Sequence, residues 1–140
     1  MSALWDHVAG LIENDPFVTS LGIRLVEAAE GRIVIEMAVA ERHLNFNGGC
    51  HGGAIFSVAD TAFGLASNAG GVISIGIDTH MAYIRGVRAG DRLTATAEEI
   101  SRSRKTGVYR VDVSRDDETV ATFTGTVHIT GRTWDQTVTS

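Results

Sequence analysis

The stretch from Gly53 to Ala69 most constrains the fold, because these 17 consecutive residues contain a single charged side chain, Asp60. At helical spacing, the apolar residues cover about half of the circumference, and the remaining positions are small or uncharged. A helix with one face in water would normally carry several charged residues on that face. The sequence therefore predicts a helix at about 53–69 that is surrounded by protein on nearly every side.

Most of the remaining chain has the pattern of β-strands. A short N-terminal helix is predicted over 3–14, followed by two strand-like runs that meet at Gly31 as a hairpin. After the central helix come four more β-branched runs. This order predicts an α+β fold in which a curved, mostly antiparallel sheet wraps around the central helix. Because such a sheet leaves its own edges and part of the helix open, we expect pairing with a second copy.

Length and charge narrow the possible roles. A chain of 140 residues is long enough for one hydrophobic core, and we expect a single domain over 1–140. The net charge of −5 disfavours nucleic acid and anionic membranes as partners. The sequence has no pattern of a signal peptide or of a membrane span, so we expect a cytoplasmic location. The single cysteine, Cys50, agrees with a reducing compartment.

Asp60 is the candidate catalytic residue. On the helical wheel it lies at the border of the apolar arc, where a carboxylate without partners has a raised pKa. Such a carboxylate either accepts hydrogen bonds that position the helix or takes part in chemistry. Both interpretations stay open at this stage, with the chemical one favoured because perturbed carboxylates cluster at functional sites.

A glycine-rich loop precedes the helix, with four glycines between Gly48 and Gly53. The first N–H groups of a helix are unpaired donors at the positive end of its dipole, and glycine allows a ligand to approach them closely. The loop lacks the spacing of nucleotide-binding motifs, which makes a phosphate site a weak interpretation. An oxyanion hole for a carbonyl that becomes tetrahedral fits better.

The helix start and Asp60 point to opposite sides of the helix. Nine residues separate His51 from Asp60, and at about 100° per residue this is a rotation of roughly 180°. The two can meet at one reacting atom only if two helices lie antiparallel in a dimer. We therefore expect two identical sites on a two-fold interface.

Two other kinds of site are disfavoured. Cys50 and His51 are adjacent in sequence and rarely face each other, so a packed cysteine is favoured over a nucleophile. The five histidines have none of the spacings typical of metal ligands, and we expect no metal site.

These residues match a known pattern. Asn45, Gly48, the His51-Gly52-Gly53 triplet and Asp60 resemble the motif of hotdog-fold acyl-CoA thioesterases, most closely the phenylacetate-degradation (PaaI-like) subgroup. The similarity extends to IENDPFVTSLGI, FSVADTAFGLA, GDRLTATAEE and KTGVYRVDV, and so covers nearly the whole chain. The chain departs from the family at Gly86, where proline is common after the arginine.

The resemblance implies a thioester hydrolase without a cofactor, since coenzyme A is part of the substrate. It implies a homotetramer of two dimers with sites at the dimer interface, and phenylacetyl or ring-hydroxylated phenylacetyl as the acyl group. Asp60 would attack the thioester carbon or activate a water, and the Gly52 N–H would bind the carbonyl oxygen. His51 would support the loop, and Asn45 would orient water or carboxylate across the subunit boundary.

A basic segment offers partners for the phosphates of coenzyme A. Residues 85–115 hold eight basic and four acidic side chains in an otherwise acidic protein. We predict that Arg102, Arg104 and Lys105 contact the phosphates, with Arg85 behind them. A solvated strand face is the alternative for each of these residues.

Two other functions remain as alternatives. A hotdog hydratase or dehydratase would act on an acyl thioester with a histidine and a carboxylate as acid and base, and would release no thiol. A non-catalytic acyl-CoA binding protein would use Asp60 for structure alone.

Overall fold

The computed structural model of the chain describes residues 2–134, so Met1 and residues 135–140 of the predicted domain 1–140 lie outside the described part, and that boundary stays a prediction. The elements in chain order are helices α1 (Ala3–Glu13) and α2 (Pro16–Leu21), strands β1 (Arg24–Ala29) and β2 (Arg32–Ala38), a 3₁₀ turn (Glu41–His43), helix α3 (Gly52–Asn68), and strands β3 (Val72–Tyr83), β4 (Arg92–Arg102), β5 (Thr106–Arg115) and β6 (Glu118–Thr133).

The N-terminal region contains two helices where the sequence indicated one. The Ser2 hydroxyl caps α1 by accepting the Trp5 N–H at 3.0 Å, and the helix ends at Glu13, close to the predicted boundary. The segment between the predicted helix and the first strand is itself helical, since Asp15 accepts the Val18 N–H at 3.1 Å and Pro16 opens α2. An aspartate cap followed by proline is typical of a helix start as well as of a helix end, and here it is both.

The six strands form one antiparallel sheet in the order β1-β2-β4-β5-β6-β3. The predicted hairpin joins β1 and β2, and Gly31 takes a left-handed φ of 75° in its turn. The sheet has α3 against one face, with Val58, Ala59 and Ala62 of that helix fully buried. The predicted α+β hotdog architecture, a sheet wrapped around one long helix, is confirmed.

Phe63 shows how closely the helix approaches the sheet. Its ring packs against Tyr109 and Phe123 at centroid distances of 6.0 and 5.4 Å. A Cβ added at Gly125 would lie 2.7 Å from this ring, and one at Gly76 would lie 3.1 Å from it. Glycine is therefore needed at Gly125 because the Phe63 ring occupies the place of a side chain.

One face of α3 remains open in the single chain, in agreement with the expectation that the sheet leaves part of the helix for a second copy to cover. Asp60 is exposed, and Ser57, Thr61 and Gly64 around it are only partly covered. The helices α1 and α2 flank this face across an open cavity of about 770 Å³. The uncharged face of α3 around Asp60 is therefore not covered by the rest of a single chain.

Strand β3 lies at an edge of the sheet, hydrogen-bonded to β6 on one side. Its 12 residues include the exposed apolar side chains Ile75 and Ile77. A long edge strand with exposed isoleucines is a template for pairing with another chain.

Among the described residues, no helix combines the length and the apolar character needed to cross a bilayer.

Candidate active site

The start of α3 is held by His51, which is its N-cap residue. The His51 Nδ1 atom accepts the Gly53 N–H at 2.7 Å, and the His51 carbonyl accepts the N–H groups of Ala54 and Ile55 at 2.9 and 3.2 Å. Within residues 2–134 the Gly52 N–H has no acceptor. The helix start therefore leaves one free donor at the positive end of the dipole, on the residue predicted to bind an oxyanion.

The loop before the helix is ordered by its own polar groups. The Asn45 Oδ1 atom accepts the N–H groups of Asn47 and Gly49 at 2.8 and 3.3 Å, and Gly48 takes a left-handed φ of 83°. Cys50 donates its N–H to the Val87 carbonyl at 2.7 Å. Asn45 thus shapes the loop through its side-chain oxygen, and its predicted role across a subunit boundary stays a prediction.

His43 supports the same loop and was not identified from the sequence as a site residue. Its Nδ1 accepts the Ala40 N–H at 3.0 Å, Nε2 lies 3.1 Å from the Leu21 carbonyl, and the His43 carbonyl accepts the His51 N–H at 2.7 Å. Burial, with a smaller contribution from the Arg42 charge, lowers the pKa of His43. His43 is therefore a neutral structural link from the end of α2 to the residue that caps α3.

Asp60 lies on the opposite side of the helix and lines the 770 Å³ cavity. The hydroxyls on either side of it are occupied, since Ser57 donates to the Gly53 carbonyl and Thr61 to the Ser57 carbonyl, both at 2.7 Å. No hydrogen bond or ion pair to the Asp60 carboxylate occurs in the described part of the chain. The Asp60 side chain reaches solvent in one chain, but the cavity walls bury it in part, and this partial burial raises its pKa. A carboxylate placed this way is available to act as a base or nucleophile.

The cavity at Asp60 is mostly apolar. Leu11 and Ile12 come from α1, Phe17 and Val18 from α2, and Trp134 follows β6. Its remaining lining includes polar groups of the two helices and of α3. Phe56 and Phe63 do not line it, because their rings pack onto Phe123 at 5.8 and 5.4 Å, respectively. The phenylalanines of α3 thus belong to the core, and the aromatic surface near Asp60 comes from other elements.

Gly52 lines a different and smaller cavity of about 380 Å³, together with Tyr83 and Arg85 at the end of β3. The Tyr83 hydroxyl donates to the Gly52 carbonyl at 3.2 Å. Asp60 does not line this second cavity. A single chain therefore keeps the free donor and the carboxylate in separate cavities, as the helical rotation between them indicates.

The predicted phosphate contacts are not close together in one chain. Arg102 ends β4 and donates to the Tyr109 hydroxyl at 2.9 Å, while Arg104 and Lys105 lie exposed in the following turn and form no ion pair within residues 2–134. Arg85 lies near the other end of β5 and pairs with Glu118 at 3.0 Å. Within one chain Arg85 is therefore apart from the other three, because β5 runs between the two groups, and its contact with the phosphates stays a prediction.

Cys50 is a packed residue, as predicted from its position next to His51 in the sequence. Its side chain is 7% exposed, and burial followed by the charge of Asp91 raises the pKa of the thiol. The Sγ atom lies 3.7 Å from the His51 carbonyl and makes no contact with the imidazole ring. Both effects on the thiol disfavour the thiolate that a nucleophile requires.

Comparison with known proteins gives one consistent picture. Residues 47–122 match the family model of the thioesterase superfamily. The acyl-coenzyme A thioesterase PaaI of Escherichia coli is 38% identical over 130 residues, which are 92% of this chain and 93% of the relative. The structure of the E. coli PaaI protein superposes with a TM-score of 0.89 at 37% identity and covers 93% of this chain and 95% of that one. A Streptococcus mutans protein solved with acetyl-CoA has a TM-score of 0.76 at 28% identity, covering 79% and 90%.

Proposed function

Since the chain belongs to the thioesterase superfamily and is an acyl-CoA thioesterase of the hotdog fold, we propose that it hydrolyses phenylacetyl-CoA and ring-hydroxylated phenylacetyl-CoA to the free acid and coenzyme A. The observation that carries this proposal is the Asp60 carboxylate, which has no partner within residues 2–134, at a cavity lined by Leu11, Phe17 and Trp134. An apolar and aromatic lining suits an aryl group. The E. coli relative is described as coming from the phenylacetic acid degradation operon.

In the proposed reaction the thioester carbonyl lies between Asp60 of one copy and Gly52 of another. Asp60 either attacks the carbonyl carbon, forming an anhydride that water hydrolyses, or removes a proton from a water that adds to the carbon. The Gly52 N–H stabilises the negative charge on the carbonyl oxygen. Collapse of the tetrahedral intermediate breaks the carbon–sulfur bond, and coenzyme A leaves as thiolate and takes up a proton.

The proposed assembly is a dimer with antiparallel α3 helices, and two dimers form a homotetramer. Two observations support the dimer. Asp60 and Gly52 line separate cavities in one chain, and β3, which ends at Tyr83 beside the Gly52 cavity, is an edge strand with exposed isoleucines. Each site would then use residues from both copies.

The phosphates of coenzyme A are proposed to contact cations at the rim of the site. Arg104 and Lys105 are exposed and form no ion pair in the described part of the chain, which leaves both charges available. Arg102 supports the same turn, and Arg85 lies beside the Gly52 cavity. Both groups of cations can serve one ligand only if they come from different copies, because β5 separates them within one chain.

A thiol-release assay over aromatic and straight-chain acyl-CoAs tests the proposal. Asp60→Asn is expected to reduce kcat about 10²- to 10⁴-fold, in line with the loss of an acid–base group. Asp116→Asn is the matched control, since Asp116 lies in the β5–β6 turn with a left-handed φ of 54° that asparagine tolerates. The best substrate should be an arylacetyl-CoA. Full turnover by a folded Asp60→Asn variant would contradict the proposed role of Asp60.

The products distinguish the other functions. A hydratase or dehydratase would convert enoyl or β-hydroxyacyl thioesters without releasing thiol, and His51→Ala would then be as damaging as Asp60→Asn. A binding protein would retain acyl-CoA without forming product. The engagement of His51 Nδ1 by the Gly53 N–H supports a capping role for His51 and the hydrolase interpretation.

A further inference from the structure

We propose that Tyr83 is a positioning residue for the oxyanion donor, acting through the carbonyl of Gly52. This inference rests on the proposed function, in which the Gly52 N–H receives the thioester oxygen. Tyr83 is the last residue of β3, and its hydroxyl donates to the Gly52 carbonyl at 3.2 Å. The ring lies directly beside the glycine, since a Cβ added at Gly52 would be 3.5–3.7 Å from three of its atoms.

The helix start needs such an external contact because it begins with two glycines. Glycine has the greatest backbone freedom, and the first turn of a helix has few hydrogen bonds of its own. The peptide unit that joins Gly52 to Gly53 is held from both sides. His51 Nδ1 accepts its N–H at 2.7 Å, and the Tyr83 hydroxyl donates to its carbonyl. Since the preceding peptide is held by the two N–H groups on the His51 carbonyl, both peptides flanking Gly52 are fixed.

Tyr83 itself has a firm backbone position. It pairs with Ala121 of β6, and the next residue, Ile84, donates its N–H to the Val120 carbonyl at 2.8 Å. The side chain therefore connects the sheet to the start of α3. It also borders the cavity that contains Gly52 and is 53% exposed. Its hydroxyl fixes the Gly52–Gly53 peptide, which shares the Gly52 Cα with the peptide that carries the Gly52 N–H. Loss of this bond would free rotation at Gly52, directly beside the donor.

Removing the hydroxyl should therefore affect turnover more than binding. An oxyanion donor acts only when it lies at hydrogen-bond distance from the developing charge, so a small rotation lowers the rate of the chemical step. Tyr83→Phe keeps the ring beside Gly52 and is expected to lower kcat about 3- to 10-fold, with KM within about twofold of wild type. Tyr83→Leu, which also removes the ring contact, should lower kcat further.

The matched control is Thr130→Val, which removes another hydroxyl bond to a backbone carbonyl. Thr130 Oγ1 donates to the Ile73 carbonyl at 2.8 Å, away from both cavities. Because Thr130 Oγ1 also accepts the Arg132 N–H at 3.2 Å, this variant should lose at least as much thermal stability as Tyr83→Phe while keeping the wild-type kcat. Equal kcat losses in the two variants, after correction for folded protein, would show a structural role and overturn the inference.

Asp60→Asn measured in parallel separates this inference from the proposed function. An inactive Asp60→Asn variant together with a Tyr83→Phe kcat within twofold of wild type would overturn the role of Tyr83 alone. Full activity of Asp60→Asn would instead contradict the proposed catalytic site. A lower kcat in Tyr83→Phe at unchanged KM, with Thr130→Val unaffected, would support the assignment.

Discussion

At the scale of single residues, Asp60 is the side chain whose surroundings are most unusual. It is the one charged residue of α3, and within residues 2–134 its carboxylate has no hydrogen bond or ion pair that would offset its partial burial. The raised pKa follows from this lack of compensation. A residue that costs stability and remains unpaired is better explained by chemistry than by structure.

The pH dependence of activity should follow the ionisation of Asp60. Because only the carboxylate can attack or take a proton, kcat/KM is expected to fall tenfold per pH unit below the pKa of Asp60. That limb should lie above the ordinary aspartate pKa of 3.8, since burial raises the pKa of Asp60. A pH–rate profile checks this, and a rate that stays constant down to the ordinary carboxyl range would contradict it.

The raised pKa of Asp60 also changes the stability of the fold, in a way that depends on pH. A carboxyl whose pKa is higher in the folded state favours folding below its unfolded pKa and loses that contribution as pH rises through the folded value. Asp60→Asn should therefore have a higher Tm than wild type at neutral pH, and the difference should shrink under acid conditions. A lower Tm at neutral pH would indicate that Asp60 makes stabilising contacts.

At the scale of elements, the two ends of α3 are held in different ways. The start depends on His51 and the Tyr83 hydroxyl, both partly solvent-accessible. The end depends on Asn68, which is 9% exposed: its Nδ2 donates to the Ser74 carbonyl at 3.1 Å and its Oδ1 accepts the Ser74 N–H at 2.8 Å. The buried end anchors the helix to β3, and the accessible end serves the site.

Asn68→Ala should therefore destabilise the fold strongly. The substitution leaves both backbone groups of Ser74 buried without these partners, which costs about 2–4 kcal/mol in the free energy of unfolding. Asn14→Ala is the control, because Asn14 donates to the Gly10 carbonyl at 3.0 Å on an exposed helix end and should cost under about 1 kcal/mol. Chemical denaturation of both variants checks the difference, and equal losses would show that Asn68 is not an anchor.

At the scale of the whole molecule, the separation of the two cavities decides how a site can form. The donor at Gly52 and the carboxylate at Asp60 lie on opposite sides of one helix. Neither cavity contains both, and a second copy placed against the open face of α3 would bring one of each together. The open face of α3 and the edge strand β3 are therefore the two surfaces through which we expect a second copy to bind.

Mixing inactive subunits tests the shared site. Gly52→Pro removes the N–H at the first helical position, where proline is tolerated, and the extended His51 backbone (φ −62°, ψ 135°) suits a following proline. Refolded alone, Gly52→Pro and Asp60→Asn should each be inactive. Refolded together in equal amounts, they should regain about a quarter of the wild-type activity, because half of the dimers are mixed and each has one intact site.

Gly52→Ala, which keeps the N–H, is the control for the fold at this position, since its Cβ would make only ordinary contacts with Tyr83. It should match the wild type in Tm, although its Cβ would enter the cavity. The absence of any recovered activity in the mixture, with dimers confirmed by light scattering, would mean that each site uses residues of one chain.

Local features of the sequence determined much of the architecture and the candidate residues. The apolar period of α3, its single charge and the glycine loop predicted a central helix with a reactive side and a donor at its start. The rotation between His51 and Asp60 indicated that they face apart, because helical geometry is regular. The aspartate and proline that open α2 are also typical of a helix end, so the local sequence does not distinguish the two.

Only the tertiary structure decided which distant residues meet. Tyr83 lies 31 positions after Gly52 and reaches it because β3 runs beside α3, and no local pattern signals that contact. The strand order placed Arg85 and the turn with Arg104 near opposite ends of β5, although one charged segment contains both. Periodicity is local, whereas such contacts depend on how the chain returns across the sheet.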